Sequence, residues 1–290
     1  MQKFKTHGKW ILAGEHSVLR GCTALVFPVR SRFLNFQWDE TDLPFQVQLE
    51  STNSNLELAF WGVLEKAIHQ LGLKKEELKG HLYLDSNIPV GAGMGASATL
   101  CVSLARWFHA MGHIEQSEQY NFAKSLEDLF HGQSSGVDVA VALLNKPLLF
   151  KKPDFMEAFE PQWAPHIYLS YCGKPGVTSD CIRKVNTFIE KKPQRGHELD
   201  VQMQMAVDIS KEAFKTPGDI DSLRKSIDLA NACFSEWELI SQELENHMGE
   251  LKKLGAIATK PTGSGDGGFV LSLWKEKVDL DQIPLPLIEA

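Results

Sequence analysis

The sequence has few cysteines, no long apolar run and no excess of positive charge, and each shortage argues against a class of protein. Its five cysteines are odd in number and form no CxxC pair, which predicts reduced thiols in a cytoplasmic protein rather than a disulfide framework. No stretch approaches the length of a membrane span, and the apolar run near the start is too short for a signal peptide. The net charge of -7 argues against nucleic acid as the principal partner.

The composition of the 290 residues is that of a packed globular protein. A hydrophobic fraction of 43%, a charged fraction of 23% and seven tryptophans fit a folded core. Short apolar strand patterns open the chain, and helical patterns separated by strands follow, which favours an α+β fold. The lysine- and proline-containing stretch 151–154 predicts a boundary between an N-terminal domain, 1–152, and a C-terminal domain, 153–290.

A glycine-rich turn at residues 88–98 is the strongest local signal. Gly91, Gly93 and Gly95 alternate between a predicted strand, 81–84, and a predicted helix, 97–111. Glycines let the backbone turn tightly with its N–H groups pointing inward, and the unpaired amides of a helix start attract anions. The turn therefore predicts a phosphate site.

Two familiar nucleotide-binding motifs do not explain this turn. The sequences at 91–96 and 263–268 satisfy a loose dinucleotide fingerprint, but the first lacks the acidic residue at a later strand end and the second precedes a strand. No GxxxxGK[ST] loop occurs in the sequence, which excludes a Walker A site.

Three segments in order along the chain instead resemble the motifs of the GHMP kinases. Residues 9–19 resemble the K-x-x-L-x-G-E-H motif, residues 89–98 the P-x-x-x-G-x-G-S-S-A loop, and residues 260–268 the K-x-T-G-x-G-G-G-G loop. The resemblance spans nearly the whole chain, and three ordered motifs are far more specific than one.

This resemblance implies a two-domain α+β fold, with an N-terminal domain like domain 2 of ribosomal protein S5 and a ferredoxin-like C-terminal domain. The active site would occupy the cleft between them. ATP would bind in the glycine-rich loop, with its phosphates at the start of the following helix. The residues implied to hold ATP are Pro89, Gly91, Ala92, Gly93, Met94, Gly95, Ala96, Ser97 and Ala98.

The resemblance also assigns the chemistry of phosphoryl transfer to four residues. Ser97 and Glu127 match the family's Mg2+ ligands, and a hydroxyl with one carboxylate suits an ion that keeps most of its waters. Asp138 corresponds to the family's catalytic base, and Lys9 would lower the pKa of the attacking hydroxyl and steady Asp138. Without the resemblance, Ser97 and Asp138 would be interpreted as helix caps, and Glu127 and Lys9 as surface charges.

Within the family, the segments 15–19 and 131–138 look most like mevalonate kinase. The implied reaction converts mevalonate to 5-phosphomevalonate, so the expected partner is a small alcohol, with no nucleic acid or membrane involved. Homodimers occur in the family, and the sequence leaves the oligomeric state open. The residues implied to contact the acceptor are Lys9, Glu15, His16, Asp138, Thr178 and Ser264.

Two alternatives to this reaction remain open at the sequence level. The first is a kinase of the same fold that phosphorylates phosphomevalonate or a sugar. The second is a catalytically silent protein that senses nucleotide and metabolite, although intact Lys9, Ser97, Glu127 and Asp138 argue against it. A lone histidine such as His16 is also more often structural than a ligand.

The sequence departs from the family pattern at four positions. Ala96 replaces a serine, Val139 stands where mevalonate kinases usually have asparagine, and Pro261 follows Lys260. Asp266 interrupts the last glycine run, where a carboxylate repels a nucleotide unless it points away or binds magnesium.

Overall fold

A computed structural model describes residues 1–50, 54–131, 134–152 and 155–290. The strands are β1 (Gln2–Ala13), β2 (Thr23–Pro44), β3 (Gln46–Leu49), β4 (Lys79–Ser86), β5 (Leu148–Lys151), β6 (Phe155–Ala158), β7 (His166–Tyr171), β8 (Ala258–Thr262), β9 (Phe269–Trp274) and β10 (Ile288–Glu289). The helices are α1 (Ser54–Leu71), α2 (Ala96–Ala110), α3 (Gln119–His131), α4 (Val137–Leu144), α5 (Thr178–Lys191), α6 (Pro193–Lys215), α7 (Ile220–Glu236) and α8 (Gln242–Lys253). No described helix is both long and apolar enough to cross a membrane.

The chain folds into two compact units that are each built from separated stretches. Unit 1 contains residues 1–9, 28–90 and 95–145, and unit 2 contains residues 10–27, 91–94 and 146–290. The domain boundary at 152/153 stays a prediction, and residues 153–154 beside it lie outside the described residues, as do residues 132–133 of the segment 131–138.

Unit 1 combines a sheet with α1 to α4. Strand β4 pairs antiparallel with β2, which places Phe36 opposite Leu84, and parallel with β3. The residues of β4 alternate between buried and more exposed positions, with Leu82 and Leu84 both buried, as expected for a strand with one face on the core. Helix α2 is buried from Ala98 to Ala105 because α3 and α4 pack around it. This burial fixes the helix that begins at the glycine-rich turn.

Unit 2 contains a four-stranded sheet in the order β10-β7-β9-β8, and the four helices α5 to α8 separate β7 from β8 along the chain. Strands β5 and β6 pair next to the start of β2. Because β8 is the edge strand of its sheet, Pro261 can replace the usual residue without removing a central ladder hydrogen bond. The α+β class predicted from the sequence is confirmed.

The predicted elements differ from the structure mainly in their ends. The strand predicted at 81–84 extends over 79–86 as β4, and the helix predicted at 97–111 is α2, at 96–110. Later in the chain, α7 ends at Glu236 and α8 begins at Gln242. The hydroxyl of Ser241 accepts a hydrogen bond from the backbone N–H of Leu244 and so caps the start of α8.

Candidate active site

The glycine-rich turn has the backbone conformation that a phosphate loop requires. Gly91, Gly93 and Gly95 all have positive φ angles, of 75°, 86° and 76°. These angles favour glycine over residues with a Cβ atom. The first hydrogen bond into α2 runs from the N–H of Thr99 to the carbonyl of Gly95, at 2.9 Å. No described group accepts a hydrogen bond from the amides of residues 91–98, so these donors remain available.

Ser97 lies in the first turn of α2, where the helix amides and the positive end of the helix dipole meet. Its hydroxyl has no hydrogen-bond partner among the described residues, so it does not act as the helix cap that its position alone would suggest. Gly95 precedes the helix in a left-handed conformation. The hydroxyl is therefore free for a ligand at the helix start.

Lys9 and Asp138 form the ion pair that the sequence predicted. The Lys9 Nζ atom lies 3.0 Å from Asp138 Oδ1, and the two side chains are 4% and 24% exposed. Asp138 occupies the first turn of α4, after Gly136 in a left-handed conformation. Lys9 is thus a buried residue of β1 and not a surface lysine, while Asp138 keeps partial access to solvent.

Lys9 also lies against the glycine-rich turn. A Cβ atom added to Gly95 would lie 3.1 Å from the Cγ atom of Lys9, which is tighter than ordinary side-chain packing. Glycine at this position therefore lets the lysine stem pass beside the start of α2. The contact explains why the first two sequence motifs occur together.

Glu127 is buried on α3, with 2% of its surface exposed, and is not the surface carboxylate that its helix alone would suggest. Burial and the negative charge of Asp138 raise the pKa of Glu127 to about 8, although Lys9 opposes this shift. The positive charge of Lys9 thus acts on two carboxyl groups, those of Asp138 and Glu127. A carboxyl group whose pKa is raised to about 8 is mainly protonated at pH 7.

The first and third motifs meet within unit 2. The N–H of Ile11 donates to the hydroxyl of Thr262 at 2.9 Å, and that hydroxyl lies 3.0 Å from the carbonyl of Ile11. Lys260 and Glu15 form an ion pair in which both side chains are almost completely buried. Glu15, predicted as an acceptor ligand, is therefore engaged by β8.

His16 follows Glu15 and has a positive φ of 58°, which is uncommon outside glycine. Its Nε2 atom lies 2.8 Å from the carbonyl oxygen of Ser264. Because that oxygen can only accept, Nε2 carries the proton and a neutral ring leaves Nδ1 as an acceptor. Burial lowers the pKa of His16 to about 4, so the ring is neutral at pH 7.

Thr178 joins the same group of residues. Thr178 is the first residue of α5, and its Oγ1 atom lies 3.5 Å from the Oγ atom of Ser264. We call His16, Thr178 and Ser264 the acceptor-side cluster, because the resemblance implied each of them as an acceptor contact, and that role stays a prediction. The fold brings the three together from separate parts of the chain.

The second and third glycine motifs approach each other through their backbones. A Cβ atom added to Gly268 would lie 2.9 Å from the carbonyl oxygen of Ala92, and one added to Gly263 would lie 3.5 Å from that of Gly93. Both glycines have positive φ angles, of 82° and 96°. A side chain at Gly268 would push the two loops apart, whereas one at Gly263 would be disfavoured by its positive φ rather than by lack of space.

The negative charge of Asp266 is compensated by two lysines. Its carboxylate lies 2.9 Å from the Nζ atom of Lys184 and 3.4 Å from that of Lys174. These lysines outweigh burial and hold the pKa of Asp266 below its ordinary value. The charge that appeared to conflict with nucleotide binding is therefore paired within unit 2. Val139, another departure, is fully buried in the core of unit 1.

Sequence reasoning missed Asp200, which holds the turn that carries His16. The carboxylate of Asp200 accepts from Ser17 Oγ at 2.8 Å, from Arg20 Nε at 2.7 Å and from Arg20 Nη2 at 2.5 Å. No sequence signal identifies Asp200. It lies within α6, where an acidic residue is ordinarily a solvent-exposed surface residue. The fold alone places it against the residues after His16.

The comparisons with known proteins agree with this geometry. The family model for the GHMP kinases N terminal domain matches residues 59–146, which include the glycine-rich turn, Glu127 and Asp138. Over these residues the chain resembles the N-terminal domain of the GHMP kinases. The curated relatives that match over most of the chain are named mevalonate kinase.

Relatives and solved structures cover nearly the whole chain. A mevalonate kinase of Aeropyrum pernix is 27% identical over 296 residues, which cover 93% of this chain and 87% of the relative. The crystal structure of L. major mevalonate kinase in complex with R-mevalonate matches with a TM-score of 0.81 and 20% identity, over 95% of this chain and 88% of that one. Streptococcus pneumoniae phosphomevalonate kinase in complex with phosphomevalonate and AMPPNP matches with a TM-score of 0.74 and 15% identity, over 95% and 93%.

The side chains of Ser97 and Glu127 fit a magnesium ion better than a tightly ligated metal. Among the described residues, no three His, Cys, Asp or Glu side chains are grouped as a metal-binding set. Ser97 and Glu127 supply a hydroxyl and a buried carboxylate, and Mg2+ is typically held by one or two such oxygens together with waters and phosphates. The donor set therefore suits Mg2+ that arrives with a nucleotide.

We expect Glu127→Gln to stabilise the metal-free protein at alkaline pH. Because the folded state raises the pKa of Glu127 from 4.5 to about 8, it favours the protonated acid. This stabilisation is complete below the unfolded pKa and is lost as the pH rises through about 8. In calorimetry with EDTA, the Tm of the variant should exceed that of the wild type above about pH 8 and converge with it toward about pH 5.

The matched control is Glu65→Gln, an exposed position on α1 of the same unit. It should leave the pH dependence of the Tm unchanged. A Tm difference for Glu127→Gln that is constant over the whole pH range would contradict the raised pKa.

We expect His16 to stay neutral far below the pH at which histidine ordinarily titrates. Burial lowers its pKa from 6.5 to about 4, so the stability that the neutral ring contributes is present above 6.5 and is lost as the pH falls through about 4. NMR of ring-labelled protein, with the signal assigned by His16→Gln, should show an Nε2-protonated neutral ring at about pH 5.5. A midpoint near 6.5 would show that the ring is solvated instead.

Proposed function

We propose that this protein is an ATP-dependent mevalonate kinase, which transfers the γ-phosphoryl group of ATP to the primary alcohol of mevalonate and forms 5-phosphomevalonate. The observation that carries the proposal is the buried Lys9–Asp138 ion pair in the same unit as the buried Glu127. Relatives at 24–27% identity named mevalonate kinase, and a structural neighbour in complex with R-mevalonate, support the choice of acceptor.

Asp138 accepts or orients the proton of the attacking alcohol in this reaction. Its carboxylate is partly exposed and therefore accessible, whereas the Lys9 ammonium next to it is buried. Lys9 holds Asp138 in place and stabilises negative charge on the alcohol oxygen. A loose transition state for phosphoryl transfer needs little base assistance, so orientation is the larger part of this role.

Ser97 and Glu127 would hold Mg2+ at the start of α2. When bound, the ion neutralises the charge of the phosphates. Glu127 must lose its proton for this role, and the approach of a cation favours the ionised form. Without the ion, the site contains one lysine and two acids. With the ion bound, the site also contains a divalent cation.

The amides of residues 91–98 would bind the phosphates of ATP. They lie at the start of α2, and no described group accepts from them. Backbone donors bind a phosphate without a charged side chain, which agrees with the absence of a Walker A lysine from the sequence. The nucleotide site is therefore built mainly from the backbone, as the glycine pattern predicted.

His16 would contact the acceptor through Nδ1, because Nε2 is engaged by Ser264. A neutral ring can accept a hydrogen bond from an alcohol but does not neutralise a carboxylate. His16 therefore suits a hydroxyl group of mevalonate, and the carboxylate group must be bound by other residues. Thr178 and Ser264 supply hydroxyl donors in the same cluster.

Two lysines that are already paired with Asp266 favour an unphosphorylated acceptor over phosphomevalonate. Lys184, on the helix that begins at Thr178, pairs with Asp266, and so does Lys174. The phosphate of phosphomevalonate would have to compete with this carboxylate for either lysine. The cluster lacks the uncompensated positive charge that a phosphorylated substrate favours.

The test is ADP release from magnesium-ATP with the purified protein, with mevalonate, phosphomevalonate and galactose offered in parallel and a no-acceptor control. We expect turnover that depends on mevalonate, because the acceptor-side cluster presents neutral groups. Turnover with phosphomevalonate alone or galactose alone would retain the kinase and reject the acceptor. ATP binding without turnover on any acceptor would favour the silent sensor.

A further inference from the structure

A buried polar group in unit 1 connects the three elements that carry the phosphoryl-transfer residues. Its members are Thr6 on β1 and Ser103 and Arg106 on α2, which we call the Arg106 node. Thr6 and Ser103 are completely buried, and their hydroxyl oxygens lie 2.9 Å apart. No motif includes these residues, and the proposed reaction does not use them directly.

Arg106 extends the node to β1 and to the end of α4. Its Nη1 atom donates to Thr6 Oγ1 at 2.9 Å and to the carbonyl of Lys5 at 3.2 Å. Its Nη2 atom donates to the carbonyls of Leu143 at 2.8 Å and Ala142 at 3.4 Å. The last carbonyls of a helix have no partner within the helix, and a cation there complements the helix dipole.

The elements joined in this way are those that hold the site. Strand β1 carries Lys9, the start of α2 carries Ser97, and the start of α4 carries Asp138. Helix α4 has only eight residues, so its two ends are about 12 Å apart at a rise of about 1.5 Å per residue. A displacement of the carboxyl end of α4 therefore moves Asp138, in the first turn of the same helix, by nearly the same distance.

We propose that Arg106 is a positioning residue for phosphoryl transfer, which sets the distance between Lys9 and Asp138 by fixing the carboxyl end of α4 to β1. Arg106 does not touch the reacting groups; it acts through the two elements that carry them. This inference rests on the proposed function only for its kinetic consequence, since the geometric consequence concerns this chain alone. The planar guanidinium is essential because its two nitrogen atoms reach two different elements at once.

The kinetic test compares Arg106→Ala and Arg106→Lys with the wild type. We expect kcat to fall by at least about tenfold in both variants, with KM values for ATP and the acceptor changed less than about threefold, because a small misplacement of catalytic groups is costly. Millimolar guanidinium added to Arg106→Ala should recover part of kcat. A merely structural role would lower the Tm and the active fraction without this split or this rescue.

The matched control is Arg32→Ala, in the same unit. Within the described part of the chain, Arg32 donates only to the carbonyl of the preceding residue, at 3.4 Å. Its kcat should equal that of the wild type. Wild-type kcat in a folded Arg106→Lys variant, or a loss in kcat that guanidinium fails to rescue in Arg106→Ala, would overturn the proposal.

A structural readout keeps the inference separate from the proposed function. In a crystal structure of Arg106→Lys, the separation of Lys9 Nζ and Asp138 Oδ1 should increase from 3.0 Å to beyond about 4 Å, outside hydrogen-bond range. If the wild type turns over no acceptor, the proposed function fails while this distance still decides the inference. An unchanged distance would overturn the positioning role whatever the substrate.

Discussion

The candidate site depends on one constraint, the burial of Lys9 beside the carboxylate of Asp138 and in the same unit as the buried Glu127. Lys9 is 4% exposed and pairs with Asp138, while Glu127 is buried in the same unit and has its pKa raised to about 8. Removing charges from water is costly unless they are paired, so this arrangement is unlike an ordinary salt bridge on a surface. The ion pair holds Asp138 in place, and the raised pKa of Glu127 leaves a carboxyl group whose ionised form a divalent cation would favour. The glycine-rich turn, the start of α2 and the short α4 all serve to hold this group.

A second constraint acts in unit 2, where the turn after β1 is fixed from three sides. Glu15 pairs with Lys260, His16 donates to the carbonyl of Ser264, and Ser17 donates to Asp200. Three successive residues are thus bound to three different elements. Such over-determination is what allows His16 to keep a positive φ, because a strained residue persists only where its surroundings enforce it. The strain therefore points to a functional position.

Much of this site could be predicted from the sequence, because glycines with positive φ and a hydroxyl at a helix start leave a local pattern. The motifs identified Ser97, Asp138 and the acceptor-side cluster without any coordinates. What could not be predicted depends on contacts between distant parts of the chain, such as the pairing of Asp266 with Lys174 and Lys184, or the role of Arg106. The cytoplasmic location, the domain boundary and the oligomeric state stay predictions.

The most direct test of the central claim is the rate of phosphoryl transfer in Asp138→Asn, measured by rapid quench together with the affinity for magnesium-ATP. The substitution keeps the shape of the side chain but removes the charge that pairs with Lys9. We expect the rate to fall by about 10²- to 10⁴-fold with nucleotide affinity changed little, as for the loss of a general base or its orienting partner. Glu212→Gln, which removes an exposed carboxylate paired with Lys215 on α6, should leave the rate unchanged. Wild-type rates in Asp138→Asn would contradict the account.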